Sequence, residues 1–138
     1  MRNNLIAGNW KMNKTTAEAK AFAEEIKKVE FLNKADVAVL APFTQLTALK
    51  EAFEGTNIKI GAQNVHFEES GAFTGEISVP MLKEIGVDYC IVGHSERREY
   101  FGETDETVNK KLKALIAADI IPILCIGESL EVREAGGN

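Results

Sequence analysis

Five short apolar runs recur along the chain, and most of them show little alternation between apolar and polar residues. Their bounds are Leu5–Ala7, Val37–Ala41, Ile58–Ile60, Tyr89–Val92 and Ile121–Ile126. Unbroken apolar runs of this length are typical of strands that are buried on both faces of a parallel sheet. The pattern therefore predicts five parallel strands with both faces covered.

The segments between these runs have the apolar spacing of helices, with apolar residues three and four positions apart. The predicted helical core positions are Ala19, Phe22, Ala23, Ile26, Leu46, Leu49, Phe53, Met81, Leu82, Ile85, Val108, Leu112, Leu115 and Ile116. Thr15 and Glu18 have the spacing of a capping box, and Pro80 suits the first turn of a helix. Gly55 and Gly86 stand where helices are expected to end.

Strands and helices thus alternate as a βα repeat, and two α/β architectures share this order. An open, doubly wound sheet of the flavodoxin kind has five strands and suits a chain of 138 residues. A (β/α)8 barrel needs roughly 250 residues, so this chain would supply a little over half of one, from the first strand to the fifth. Periodicity does not choose between them, and length favours the open sheet.

The charge, the apolar runs and the cysteines indicate which binding partners and which cellular location to expect for this chain. The chain carries 16 basic and 21 acidic residues, for a net charge of −5, so neither nucleic acid nor an anionic membrane is expected as a partner. No apolar run approaches the roughly 20 residues of a membrane helix. Only Leu5–Ala7 is apolar near the start, so no signal peptide is expected there. Cys90 and Cys125 lie inside apolar runs and are predicted to be buried free thiols, without the spacing of a metal site. These features favour a cytoplasmic location.

Polar residues gather at the carboxyl ends of the predicted strands, where both architectures bind ligands. They are Asn9, Lys11, Gln63, Asn64, His94, Ser95, Glu96 and Glu128. An ammonium beside an imidazole that can donate a hydrogen bond suits a small anionic ligand, and Glu96 could pair with Lys11. Each residue also has a structural alternative: Lys11 as a solvated charge, His94 as a packing residue, and the charged run 96–99 as a surface cluster. His66 has no metal-spaced partners and is predicted to be structural.

The segment from Gln63 to Ser78 has neither helical nor strand periodicity, although ordinary βα loops run about 2–6 residues. A loop of this length in a compact domain is usually functional. Its tip places Phe73 between Gly71 and Gly75, which indicates a contact surface.

Two long motifs, AGNWKMN at 7–13 and GHSERR at 93–98, resemble the signatures of the triosephosphate isomerase family. The stretches GAFTGE at 71–76 and LCIGE at 124–128 are similar to the same family in the same order. The resemblance implies that residues 1–138 are the N-terminal portion of a single barrel domain. It also implies interconversion of dihydroxyacetone phosphate and glyceraldehyde 3-phosphate through an enediolate, in glycolysis and gluconeogenesis, without cofactor or metal.

By the same resemblance, His94 is the electrophile, its imidazole kept neutral by the helix that follows it. Lys11 and Asn9 bind the triose phosphate, and Glu96 pairs with the lysine beside the catalytic site. The family's general base, its lid loop and its phosphate-binding loops follow later strands and are absent from this chain. The isolated chain is therefore expected to be inactive; the alternative is a phosphate-binding or inert half-barrel fragment. Asp119 stands where the family often has a helix-ending glycine.

The resemblance also implies a homodimer in the complete protein. The family's corresponding loop enters the partner subunit, so Phe73 and Thr74 are expected at the interface, with Thr74 reaching Asn9 and His94 of the other subunit. If the sheet stops after the fifth strand, the first and fifth strands become unpaired edges. Such edges predict self-association of the isolated chain.

Overall fold

The computed structural model describes residues 5–29, 36–126 and 129–132, with the last strand described by its backbone alone. The elements, in chain order, are β1 (Leu5–Asn9), α1 (Thr16–Ile26), β2 (Asp36–Ala41), α2 (Phe43–Ala52), β3 (Ile58–Ala62), α3 (Val79–Ile85), β4 (Tyr89–Val92), α4 (Ser95–Tyr100), α5 (Asp105–Ala117), β5 (Ile121–Ile126) and β6 (Ser129–Val132). The five predicted strands and four predicted helices are confirmed. Two elements, α4 and β6, were not predicted.

The order of the strands in the sheet decides the architecture. Strands β1 to β5 are all parallel and lie side by side in the order in which they occur in the sequence. A flavodoxin-like sheet would place β1 between β2 and β3, so the open-sheet alternative is wrong. Sequential parallel strands instead form a curled half-barrel, which is part of a (β/α)8 barrel.

Strand β5 is not an edge of this sheet, contrary to the expectation from the sequence. It pairs antiparallel with β6, with Cys125 opposite Leu130 in the register. The backbone of β5 therefore has neighbours on both sides, and the prediction of an unpaired fifth strand is wrong. At the other side of the sheet, β1 pairs with β2 alone among the described strands.

The two faces of the sheet form separate apolar clusters. Along β2, Val37 and Val39 point to the helices, whereas Ala38 and Leu40 point to the concave inner face. Both faces are buried there, which explains the unbroken apolar run in the sequence. Strand β1 differs, because it lies at the side of the sheet and leaves Ile6 half exposed. The prediction of burial on both faces is therefore wrong for β1.

The ends of α1 and α3 follow the predicted signals, whereas α2 ends at Ala52 with Phe53 as its cap, before the predicted Gly55. The side chain of Thr15 accepts from the backbone N–H of Glu18, and the Glu18 side chain accepts from that of Thr15, which completes the capping box. Pro80 lies in the first turn of α3. Gly86 ends that helix with a φ of 92°, a left-handed conformation that favours glycine. Asp119 is also left-handed after α5, with a φ of 59°, and aspartate tolerates this better than most residues.

Helix α5 confirms the predicted burial of Val108 and Leu115 but not that of Leu112 and Ile116. Its buried residues are Val108, Lys111 and Leu115, whereas Leu112 is only half-buried and Ile116 is exposed. Apolar spacing could not show that a lysine occupies a core position.

The two cysteines are both free, but they differ in burial. Cys90 is fully buried, as predicted. Cys125 is only half-buried, so the prediction of a buried thiol is wrong there, because one side of its strand faces the open concave surface. Burial still raises the pKa of Cys125 to about 11. Within the described ranges, no helix has the length and apolarity needed to span a bilayer.

Candidate functional site

An open cleft of about 300 Å³ lies at the carboxyl ends of β1, β3 and β4. Its polar lining consists of Asn9, Lys11, Gln63, Asn64, His94, Glu96 and Arg97. The cleft therefore brings together the polar groups that the sequence placed after the first, third and fourth strands. Ser95 begins α4 and does not line the cleft, and Glu128 lies outside the described residues.

His94 is placed by the tight turn that leaves β4. Gly93 has a left-handed φ of 72°, and His94 follows it as the residue that caps α4. The Nδ1 atom of His94 accepts a hydrogen bond from the backbone N–H of Glu96 at 3.1 Å. Because the backbone N–H of Glu96 is a donor, Nδ1 of His94 must accept and cannot carry a hydrogen itself. The contact therefore fits a neutral imidazole whose hydrogen is on Nε2. The ring then presents Nε2–H as a hydrogen-bond donor.

The carboxylate of Glu96 also lies 3.6 Å from Nδ1 of His94, a distance that would suit an ion pair with a charged ring. The backbone contact is shorter and has the geometry of a hydrogen bond, so the neutral form is the better account. The Glu96 carboxylate instead forms an ion pair with Lys11, with 2.8 Å between Oε2 of Glu96 and Nζ of Lys11.

Lys11 stands in the loop after β1 in an unusual backbone conformation. Its φ is 57°, in the left-handed region that residues with a Cβ rarely adopt. Its N–H donates to Oδ1 of Asn9 at 2.9 Å, which ties the turn to the end of the strand. The left-handed turn carries the lysine side chain toward α4, where Glu96 lies.

Lys11 and Glu96 form an ion pair within the lining of the cleft. The hydrogen bond to Glu96, followed by the carboxylate's charge, raises the pKa of Lys11 above its ordinary value. The hydrogen bond from Lys11 in turn lowers the pKa of Glu96. Both side chains are about half exposed, so solvent screens the pair and it contributes little to stability. Its consequence is local: an ammonium is held at the mouth of the cleft.

A buried ion cluster lies behind the cleft. Lys111, from α5, contacts the carboxylate of Glu103 and donates to Oδ1 of Asn64 at 2.8 Å. Arg97 approaches the other oxygen of Glu103, with 3.5 Å between Nε and Oε2. The cluster thereby links α5 to Arg97 of α4 and to Asn64 in the loop after β3, both of which line the cleft.

The long loop from 63 to 78 contains neither helix nor strand, as predicted. Its tip is ordered by aromatic packing, since the ring of His66 lies 4.4 Å from both Phe67 and Phe73. This packing confirms a structural place for His66. Phe73 remains 42% exposed, and neither Phe73 nor Thr74 lines the cleft of its own chain.

The chain matches the family model described as triosephosphate isomerase over residues 4–138. The chain belongs to the triosephosphate isomerase family. It is similar to the triosephosphate isomerase of Alkaliphilus oremlandii, with 58% identity over 98% of this chain and 54% of that relative. It is also similar to the triosephosphate isomerases of Clostridium botulinum, with 59% identity over 97% of this chain and 54% of the relative, and of Clostridium perfringens, with 59% over 99% and 55%. The chain thus spans about half the length of the curated relatives it matches.

Sequence reasoning placed the charged groups of the cleft together but missed two features around them. It gave Glu103 and Lys111 no role, because charged residues eight positions apart carry no local signal of burial and Asn64 lies 47 positions from Lys111. It listed Gln63 among the polar residues at the strand ends but assigned it no role, although an uncharged polar residue directly after a buried strand often makes a specific hydrogen bond. In the part of the chain that the structure describes, no three metal-ligating side chains cluster.

Proposed function

We propose that residues 1–138 are the N-terminal portion of a single (β/α)8-barrel domain, and that the complete protein interconverts dihydroxyacetone phosphate and glyceraldehyde 3-phosphate. The observation that carries the proposal is the convergence of Asn9, Lys11, His94 and Glu96 in one cleft. The family supports the same reaction, since the similar relatives from Alkaliphilus and Clostridium are named triosephosphate isomerases. A cytoplasmic location and a place in glycolysis and gluconeogenesis belong to this proposal.

The reaction removes a proton from the carbon next to a carbonyl and forms an enediolate, so negative charge develops on oxygen. Preorganised donors that face this oxygen stabilise the transition state more than they stabilise the substrate. In the proposed site, Nε2–H of His94 is such a donor and the Lys11 ammonium supplies the opposing charge. The general base that takes the carbon-bound proton belongs to the remainder of the barrel.

Asn9 has a defined orientation in this proposal. Its Oδ1 accepts from the backbone of Lys11 and from the side chain of Gln63. Because the oxygen is occupied in this way, the amide nitrogen of Asn9 is the end left to donate to a substrate oxygen. Asn9 and Lys11 together then suit a small phosphorylated triose, which presents oxygens with partial and full negative charge.

The proposal includes a homodimer of the complete protein, in which Phe73 and Thr74 of one subunit meet the other. Its support is the distribution of exposed apolar side chains. Met12 and Phe101 are 94% and 68% exposed and line the cleft mouth, while Phe73 stands exposed at the tip of the long loop. In such a dimer, the apolar loop tip of one subunit would pack against the apolar cleft rim of the other, and both exposed surfaces would be buried. Thr74 would then reach Asn9 and His94 of the partner subunit.

The isolated chain is expected to show no isomerase turnover. Catalysis needs the general base and the phosphate-binding loops, and base catalysis alone typically contributes 10²–10⁴-fold. A non-catalytic phosphate-binding or inert half-barrel fragment is the second candidate, and it applies to this chain in isolation.

The test uses the complete protein, assayed for isomerisation in both directions. His94→Gln removes the donor from its position and is expected to lower kcat on the order of 10²-fold. Lys20→Met is the control, because Lys20 is exposed on α1, away from the cleft. Equal activity in His94→Gln and wild type would refute the role of His94. A wild-type protein without isomerase activity would refute the function.

A further inference from the structure

Gln63 makes an unusual set of contacts for a residue without an assigned role. It is the first residue after β3, and its Nε2 lies within hydrogen-bonding distance of three oxygens. These are the backbone carbonyl of Lys11 at 2.9 Å, Oδ1 of Asn9 at 3.2 Å and the backbone carbonyl of Leu40 at 3.2 Å. One side chain thus joins the ends of β1 and β2 to the end of β3.

Two of these contacts bear directly on the strained backbone of Lys11. A left-handed φ is unfavourable for a residue with a Cβ and persists only where surrounding contacts hold it. The N–H of Lys11 is held by Asn9, and its carbonyl is held by Gln63. Gln63 also donates to the same Asn9 oxygen, so it steadies both partners of the turn.

We infer that Gln63 is a positioning residue for the site, which fixes the left-handed backbone of Lys11 and the amide orientation of Asn9. This inference rests on the proposed isomerase function for its kinetic consequences. The anchor is rigid, because Gln63 follows directly on Ala62, which is fully buried and paired with β2 and β4. Without the anchor, the Lys11 turn relaxes and its ammonium no longer stands in one place at the cleft.

The chemistry of the three acceptors explains why an amide is required here. All three neighbours of Nε2 are oxygens that accept, so the side chain must donate. A carboxylate at the same place would face three oxygens with no hydrogen to give. Its pKa would therefore be raised, and only its protonated form would donate to one of them.

The experiment compares three variants of the complete protein. Gln63→Met keeps an unbranched side chain but removes the donor. Gln63→Glu keeps the shape and makes donation depend on pH. Gln45→Met is the matched control, because Gln45 is 4% exposed and does not line the cleft. Its Nε2 donates to the Lys14 carbonyl in the same loop at 2.7 Å, and its Oε1 accepts from the Thr16 hydroxyl of α1 at 2.8 Å.

We expect Gln63→Met to lower kcat/KM by roughly 10- to 100-fold per folded molecule, because misplacing a group by about 1 Å has effects of this size. Gln45→Met is expected to lower the melting temperature comparably while kcat/KM stays within about twofold of wild type. If both variants lose turnover only in proportion to their unfolded fraction, Gln63 has a structural role and the inference is overturned.

The pH profile separates positioning from general loss of packing. The deficit of Gln63→Glu relative to wild type should shrink as the pH falls, because the protonated carboxyl regains a donor. The deficit of Gln63→Met should not change with pH. A Gln63→Glu deficit that is constant with pH contradicts the inference, and this comparison remains decisive if Gln63→Met fails to fold.

A crystal structure of Gln63→Met or Gln63→Glu gives a readout that does not depend on activity. The φ of Lys11 is expected to leave the left-handed region once the carbonyl contact is lost. Retention of a φ near 57° would overturn the inference even if the kinetics changed. An inactive wild-type protein whose Lys11 turn nonetheless relaxes in the variant would refute the proposed function and leave the anchor intact.

Discussion

Removing the ammonium of Lys111 tests whether the buried ion cluster stabilises the wall of the cleft. The side chains of Lys111 and Glu103 are only 7% and 2% exposed, so water cannot solvate either charge if its partner is lost. In Lys111→Met, the Glu103 carboxylate keeps only Arg97, whose Nε stands at 3.5 Å without a hydrogen bond. Asn64 also loses the donor to its Oδ1.

The expected cost follows from burial. Removing one partner of a buried ion pair typically destabilises a protein by about 3–5 kcal/mol, because the other charge remains uncompensated. For a barrel of roughly 250 residues, each kcal/mol lowers the melting temperature by about 2–4 °C, so Lys111→Met should melt about 6–20 °C below wild type. Lys111→Met combined with Glu103→Met should recover part of this loss, since no charge is then stranded.

The assay is urea and thermal unfolding of the complete protein at one concentration, because association shifts apparent stability. Lys110→Met is the control, because the Nζ of Lys110 lies 3.6 Å from Glu106 and the two side chains are 49% and 80% exposed. Removing this exposed pair should cost less than about 1 kcal/mol. If Lys111→Met and Lys110→Met lower the free energy of unfolding equally, burial does not strengthen the contribution of the ion cluster to stability. A double variant less stable than Lys111→Met alone would contradict the stranded-charge argument.

Four further predictions concern the cleft, the loop and the isolated chain. The hydrogen bond from Lys11 lowers the pKa of Glu96 below its ordinary value of 4.5. The pair's contribution to folding stability is therefore fully present above pH 4.5 and is lost as the pH falls through the lowered pKa. NMR titration should find a higher Glu96 pKa in Lys11→Met than in wild type. Phe73→Asp should give monomers of the complete protein with much lower turnover and little loss of fold, and a fully active dimer at nanomolar concentration in sedimentation would refute this. The isolated chain should show no turnover in a coupled assay, and substrate-saturable turnover that His94→Gln abolishes would contradict that. It should also self-associate in light scattering through the β1 edge, where Ile6 is exposed, so a monodisperse monomer with cooperative unfolding would count against that edge.

The sequence predicted β2 most closely because both faces of that strand are buried. Residues of β2 are buried on both faces, so the apolar run and the strand nearly coincide. Helix α4 was missed for the opposite reason: SERREY buries no residue, so it carries no apolar period. The burial of Lys111 was missed because its partners, Glu103 and Asn64, come together only in the folded chain.

The sequence predicted which residues line the candidate site but not how their backbone and side chains are oriented. Asn9, Lys11, His94 and Glu96 could be placed together because the carboxyl ends of parallel strands meet at one edge. The left-handed turn at Lys11 could not be predicted, because its φ depends on side chains that reach it from elsewhere in the fold. The anchoring contact of Gln63 depends on that turn and was therefore missed with it.

The most direct test of the central claim is the fate of the carbon-bound hydrogen in heavy water. An enediolate formed in this cleft must take its new hydrogen from the general base, which exchanges with solvent. The complete protein should therefore convert dihydroxyacetone phosphate in D₂O to glyceraldehyde 3-phosphate that carries deuterium, as read by proton NMR, with the rate reduced on the order of 10²-fold in His94→Gln. Conversion without any deuterium, or at an unchanged rate in His94→Gln, would contradict the account.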